Sequence, residues 1–244
     1  MLDGSFQASP FILRDDSRTP YPTMRNARES AYRILRDRII FLDLKPGEAL
    51  NDKQLSEELQ MSRTPVREAL IILSTVNMVI LKPQAGTFVA PIDSEWAEME
   101  QFSRHALEKE VIRLACAGVD KDTAQLYEKN LEEYAREAAA SSPDRLRRLL
   151  ALDNEFHRIA FLAVSRENSF SYMLRTMQHI ERLRVLSMLV EESVPLTDDH
   201  RAISRAILAG DETAALYWLN IHLTRYRESL RLSQERFPAY FHIH

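Results

Sequence analysis

The 244-residue chain has one cysteine, Cys116, and no run approaching the ~18 apolar residues of a membrane span. A lone cysteine excludes an internal disulfide framework, and the apolar helix expected around it marks a reduced, buried thiol rather than a nucleophile. The expected compartment is the cytoplasm. The first residues lack a charged start followed by an apolar segment, so neither secretion nor membrane insertion is expected. Basic charge is not in excess either: the formal net charge is −4, with residues 25–93 near neutral and the remainder acidic. Indiscriminate nucleic-acid binding is excluded, and any DNA contact must come from a focused cluster. There is no internal repeat, and the only low-complexity tract is the short run Ala138–Ala140.

What is present is 45% hydrophobic and 28% charged residues, the balance of a soluble globular protein, over a length that suits two domains. Residues 1–24, with Pro10, Pro20, Pro22 and Gly4 and no sustained period, read as an extended arm. From Arg28 the pattern turns helical, with Ala31, Ile34, Leu35 and Ile39 on one face, until Lys45-Pro46-Gly47. Two short helices follow, over Asp52–Leu59 and from Ser62 through Leu73, the second with Pro65 in its first turn. Val79–Leu81 and Thr87–Val89 then predict a two-stranded hairpin. After Pro91 six helices are expected, at 95–117, 121–140, 144–163, 168–190, 198–209 and 212–233, with breaks at Gly118, Ser141-Ser142-Pro143, Asn168, Pro195 and Gly210-Asp211. The expected fold is therefore mainly α: a winged helix-turn-helix over 25–93 followed by an all-helical six-helix bundle over 94–240.

A helix-turn-helix offers the first residues of its second helix to the major groove, and Ser62, Arg63, Thr64 and Arg67 stand there. A helix N-terminus and small hydroxyls suit phosphate oxygens, whereas a guanidinium can give two hydrogen bonds to the O6 and N7 edge of guanine. Arg63 and Arg67 are the candidate base readers. Lys53 is a candidate phosphate contact, and Gly86 at the hairpin would admit close backbone approach to the minor groove. Spacing alone fits a small helical domain with solvated arginines equally well.

In the helix 144–163, Asp153 and His157 fall on the apolar face with Leu149, Leu150, Phe156 and Ala160. His200 and His222 also lie on inward faces of their helices. Buried groups of this kind need partners. Two arrangements satisfy them: a buried Asp153–His157 hydrogen-bonded pair with two further core histidines, or a first shell for a divalent metal with positions left for water or ligand. His105 and His179 are expected at the surface, and His242 and His244 in a tail.

The stretch Leu55-Ser56-Glu57-Glu58-Leu59-Gln60-Met61-Ser62-Arg63-Thr64-Pro65-Val66-Arg67-Glu68-Ala69-Leu70 resembles the signature of the GntR family of bacterial regulators, and Pro83 to Gly86 matches that family's wing. Asn77 stands where the family usually has glycine, and asparagine also tolerates a left-handed cap. Leu152-Asp153-Asn154-Glu155-Phe156-His157, Asn168, and Asp199-His200-Arg201-Ala202-Ile203 through Gly210-Asp211 resemble the FadR C-terminal (FCD) effector domain, with a six-helix count closer to the VanR-like branch.

The resemblance implies that Asp153, His157, His200 and His222 bind a metal, zinc by default, with nickel, manganese or iron fitting the same ligands. It also implies a homodimer on a palindromic operator. Arg104, in Arg104-His105-Ala106-Leu107-Glu108, matches a position that can meet an effector carboxylate, although an arginine bonded to a neighbouring helix is an equal alternative. The expected function is a ligand-responsive transcriptional repressor sensing a small organic acid. Its rivals are a metal-dependent hydrolase using the Asp/His cluster, for which no general base stands out because Glu155 faces away, and a metal-free acid-binding pocket.

Overall fold

The structure is a computed structural model and describes residues 23–190 and 196–242. The expected arm falls, as far as residue 22, outside the described residues, as do the expected break at Pro195 and the tail residue His244. The chain opens with α1 (Thr23–Ile40), β1 (Ala49–Leu50), α2 (Asp52–Glu58), α3 (Arg63–Thr75), β2 (Val79–Lys82) and β3 (Gly86–Val89). The hairpin is larger than expected. β1, too short for any alternation to be read, pairs antiparallel with β3 to give a three-stranded sheet in the order β1-β3-β2. Two-residue β1 follows the turn at Gly47, whose φ of +81° only glycine adopts freely. Asn77 takes φ +57° after α3, the left-handed cap expected of it. The core of this unit is Ala31, Leu35 and Ile39 of α1 packed on Val66, Ala69, Leu70 and Leu73 of α3.

Eight helical segments then replace the expected six: α4 (Ser94–Ala115), α5 (Lys121–Ala138), α6 (Arg145–Ala163), α7 (Glu167–Thr176), α8 (Gln178–Val190), α9 (Leu196–Leu208), α10 (Glu212–Thr224) and α11 (Tyr226–Arg236). Two expected helices are each divided. At Met177 the cause is a long-range cap: Glu100 on α4 accepts from the backbone N–H of His179 (2.9 Å) and Ile180 (2.8 Å), so a second helix can start in mid-pattern. The division at Arg225 is slight, because that residue keeps helical angles.

The expected surface position of His179 is a second correction. It is 1% exposed, stacked with Trp96, and its Nδ1 faces the Asp93 N–H at 3.4 Å. Arg182, one turn on, is fully buried and donates to the carbonyl of Ala90 at 2.7 Å. Helical spacing from Arg175 and Arg182 marked this face as polar, but the segment after β3 folds over it.

The winged unit and the bundle meet across a continuous apolar contact. Leu150 of α6 and Val185 of α8 belong to the same buried cluster as the α1 and α3 side chains. Around it, Arg36 of α1 donates to Gln178 (2.9 Å) and pairs with Glu181, both on α8, while Arg147 of α6 pairs with Asp43.

Candidate functional sites

The exposed face of the winged unit is built from helix caps. Asn51 caps α2, its side chain accepting from the N–H groups of Lys53 (2.9 Å) and Gln54 (3.2 Å). Gln60, at φ +52°, turns the chain, and Ser62 in extended conformation starts α3 without making a side-chain cap bond. The fold sets Lys53, Ser62, Arg63, Thr64 and Arg67 together on the exposed surface, with Gly86 exposed where the wing turn enters β3. Arg63 and Arg67, half or more exposed, both reach back to the carboxylate of Asp52 at the start of α2. Their hydrogen bonds hold that carboxyl below its ordinary range. Sequence spacing gave no sign of Asp52.

In the bundle, α6 supplies Asp153 and His157, α9 supplies His200 and α10 supplies His222, all buried. One ligand atom from each lies within 4.8 Å of the others. The Nε2 atoms of His157 and His222 are 3.2 Å apart, and Oδ1 of Asp153 is 3.3 Å from Nε2 of His200. Phe156 stacks flat on the His200 ring, with centroids 3.8 Å apart, and fixes its plane.

The surroundings favour the neutral form of these rings. Burial pushes all three imidazoles below their ordinary pKa, His200 and His222 strongly, while Glu108 partly opposes the effect at His157. Neutral imidazole is the metal-binding form. Nδ1 of His157 lies 2.8 Å from Glu108, and Nδ1 of His222 lies 3.6 Å from Asp199, itself held by Arg225. Burial pushes Glu108 up, but Arg104 and His157 outweigh it and hold the carboxyl below its usual range. Asp199 likewise sits at about 2, because the neighbouring His222 and the Arg225 guanidinium together overcome burial. Carboxylates thus stand behind the Nδ1 atoms of His157 and His222, on the side away from the cluster.

Buried Oδ1 of Asp153, both ring nitrogens of His200 and Nδ1 of His222 make no well-aligned hydrogen bond. Orphaned buried groups cost on the order of 1–3 kcal/mol each, and a cation between them would satisfy Asp153 and His200 together. The four residues therefore could hold a metal ion, as three nitrogens and one carboxylate oxygen suit a divalent cation.

Beside the cluster lies a cavity of about 60 Å³ lined by Gln101, Arg104, Asp153, Arg184, His222 and Arg225 among others. Arg104 is buried and gives its Nε to Glu108 at 2.6 Å, a bond within its own helix rather than to the neighbouring helix expected of the alternative, and it lines the cavity. Arg184 was not anticipated. It pairs with Asp153 and donates to Asn154 at 2.7 Å.

A winged helix-turn-helix joined to a helical bundle with a buried Asp/His cluster is the architecture of a transcription regulator. Residues 27–89 match the bacterial regulatory proteins of the gntR family, and residues 101–225 match the FCD domain. The chain belongs to the GntR family and carries an FCD domain. It is 28% identical over 218 residues to an uncharacterised HTH-type regulator from an unstable DNA locus of Streptomyces ambofaciens, covering 89% of this chain and 90% of that one. It is 27% identical over 214 residues to the HTH-type transcriptional repressor RspR of Escherichia coli K12, covering 87% and 92%. The solved structure of E. coli McbR/YncC shares the fold with a TM-score of 0.69 at 19% identity, over 86% of this chain and 98% of that one. These proteins are regulators and not enzymes, so the hydrolase alternative falls. No helix among the described residues is long and apolar enough to cross a membrane.

Proposed function

We propose that this regulator is a cytoplasmic, operator-binding homodimer and a repressor, divided into a DNA-binding part at 25–93 and an effector and dimerisation part at 94–240; the VanR-like branch, expected from a six-helix count, loses that support with eight segments. Arg63 and Arg67 read bases, Ser62, Thr64 and Lys53 hold phosphate, and Gly86 brings the wing backbone to the minor groove. Pairing two such heads on a palindrome supplies the discrimination that one short helix lacks. Asp153, His157, His200 and His222 hold a divalent metal, zinc first among the candidates, which when bound supplies a Lewis-acidic centre for an effector oxygen.

The cavity favours a small organic acid. Each water position needs about 10–15 Å³ of such volume, so 60 Å³ replaces only a few waters. Arg104 meets the effector carboxylate through its two Nη groups, which have no partner among the described residues. The signal has a short path. Arg184 touches Asp153 and Asn154, Asn154 donates to Glu181 at 3.2 Å, and Glu181 pairs with Arg36 on α1 of the winged unit. An effector that favours one arrangement of these groups shifts the population presented to DNA.

One observation carries this proposal: the cavity lined by Arg104, Arg184 and Arg225 also has Asp153 and His222 of the buried cluster in its wall. Elemental analysis of protein purified without chelator or histidine tag should find near-stoichiometric metal, and His200→Ala should abolish it. Thermal-shift measurements with C2–C6 carboxylic acids should then give stabilisation in wild type and not in Arg104→Met. Metal-free wild type that still responds to an acid would favour the metal-free pocket instead.

A further inference from the structure

Asp52 stands first in α2, yet α2 does not need it as a cap, because Asn51 already accepts from the Lys53 and Gln54 N–H groups. Its carboxylate is turned across the turn of the helix-turn-helix instead. Arg63 donates Nη2 to both of its oxygens, at 2.8 and 3.0 Å, and Arg67 donates Nε to Oδ2. The two arginines are four residues apart on one helical face, where like charges repel. One carboxylate between them relieves that repulsion and gathers both guanidiniums on one point.

Stability does not explain the arrangement, since exposed pairs of this kind contribute little to folding. Arg63 and Arg67 are 51% and 61% exposed. Affinity for DNA does not explain it either. A carboxylate at a DNA-facing surface repels phosphate and reduces the local charge from two positive to one. What it does supply is order. A free arginine loses its rotamer freedom on docking, and a pre-set one has already lost it. The fixing also leaves donors to spare: Arg67 keeps Nη1 and Nη2, and Arg63 keeps Nε and Nη1, none of them partnered among the described residues.

We propose that Asp52 is a positioning residue that presets Arg63 and Arg67 for the guanine edge, exchanging DNA affinity for sequence discrimination. This rests on the assignment of those arginines as base readers. An adenine presents a donor where guanine has O6, so a held guanidinium rejects it, whereas a mobile one can turn to phosphate.

The experiment is selection from a randomised duplex library by the full-length protein, followed by dissociation constants for the selected duplex and for the same duplex with its enriched G·C pairs replaced by A·T. Wild type should discriminate by about 5- to 150-fold per guanine contact. Asp52→Asn should lose about tenfold of that ratio while binding random duplex as well as or better than wild type, with an unchanged melting temperature. Asp52→Glu should recover part of the ratio. An Asp52→Asn variant with wild-type discrimination, or one that loses selected and random duplex alike, overturns the proposal. If Arg63→Ala and Arg67→Ala also select the wild-type sequence, base reading by these arginines fails as well. Discrimination lost in both arginine variants but kept in Asp52→Asn overturns only the role of Asp52.

Discussion

Nδ1 of His157 lies 2.8 Å from Oε2 of Glu108, and the same carboxylate takes the Nε of Arg104 on its other oxygen at 2.6 Å. One buried acid therefore lies against a candidate metal ligand and holds a candidate effector contact. Removing such a supporting carboxylate typically costs ten- to a hundredfold in metal affinity. Glu108→Gln should weaken zinc binding by about tenfold, measured by titration against a chromogenic chelator. Equal affinity in the two proteins would sever this link.

His179 provides a pH test away from the cluster. Burial, with Arg182 adding to it, pushes its pKa down to about 4 from 6.5. The unfolded chain therefore takes up the proton first, so the stability is fully present above pH 6.5 and is lost as pH falls towards 4. The loss amounts to about 3 kcal/mol at most. Plotted against pH, the melting temperature of His179→Gln should fall less steeply than wild type below 6.5; parallel curves would contradict the depressed value.

Arg36 links α1 to Glu181, a carboxylate only 3% exposed. Arg36→Met leaves that charge buried with the Asn154 amide as its remaining hydrogen bond among the described residues, and breaking a buried pair in this way costs about 3–5 kcal/mol. Urea denaturation should show a loss of about that size. Glu181→Gln in the same background should recover part of it, because the stranded charge is then gone.

Lys53 is exposed, and its ammonium is 4.0 Å from Glu57, a pair too loose and too solvated to hold it. If it contacts phosphate, Lys53→Ala should weaken binding about equally on all duplexes and reduce the slope of log K against log salt by about one. Fluorescence anisotropy across a salt series measures both. An unchanged slope removes Lys53 from the interface.

Much of the site was legible because it depends on local periodicity. Asp153 and His157, four apart in α6, had to share a face, and the apolar residues around them fixed that face as the buried one. His200 and His222 were placed by the same rule, and the exposed start of α3 by the spacing of its caps. Other features were invisible for an equally physical reason. The carboxylate of Glu100 that divides α7 from α8 is 79 residues from the amide it caps, and Glu181 is 145 residues from Arg36. β1 has only two residues, too few for alternation to register.

By itself, then, the sequence determined where most helical segments run, though not where α7 and α8 divide or that His179 is buried, and that one aspartate and three histidines point inward, because helix period and side-chain hydrophobicity are local properties. Tertiary structure alone decided that those four groups converge within 4.8 Å, that Arg104 and Arg184 face the space beside them, and that Asp52 holds the two exposed arginines. Convergence of that kind is a matter of how whole helices pack, and burial forces each polar group to find a partner wherever the packing brings one.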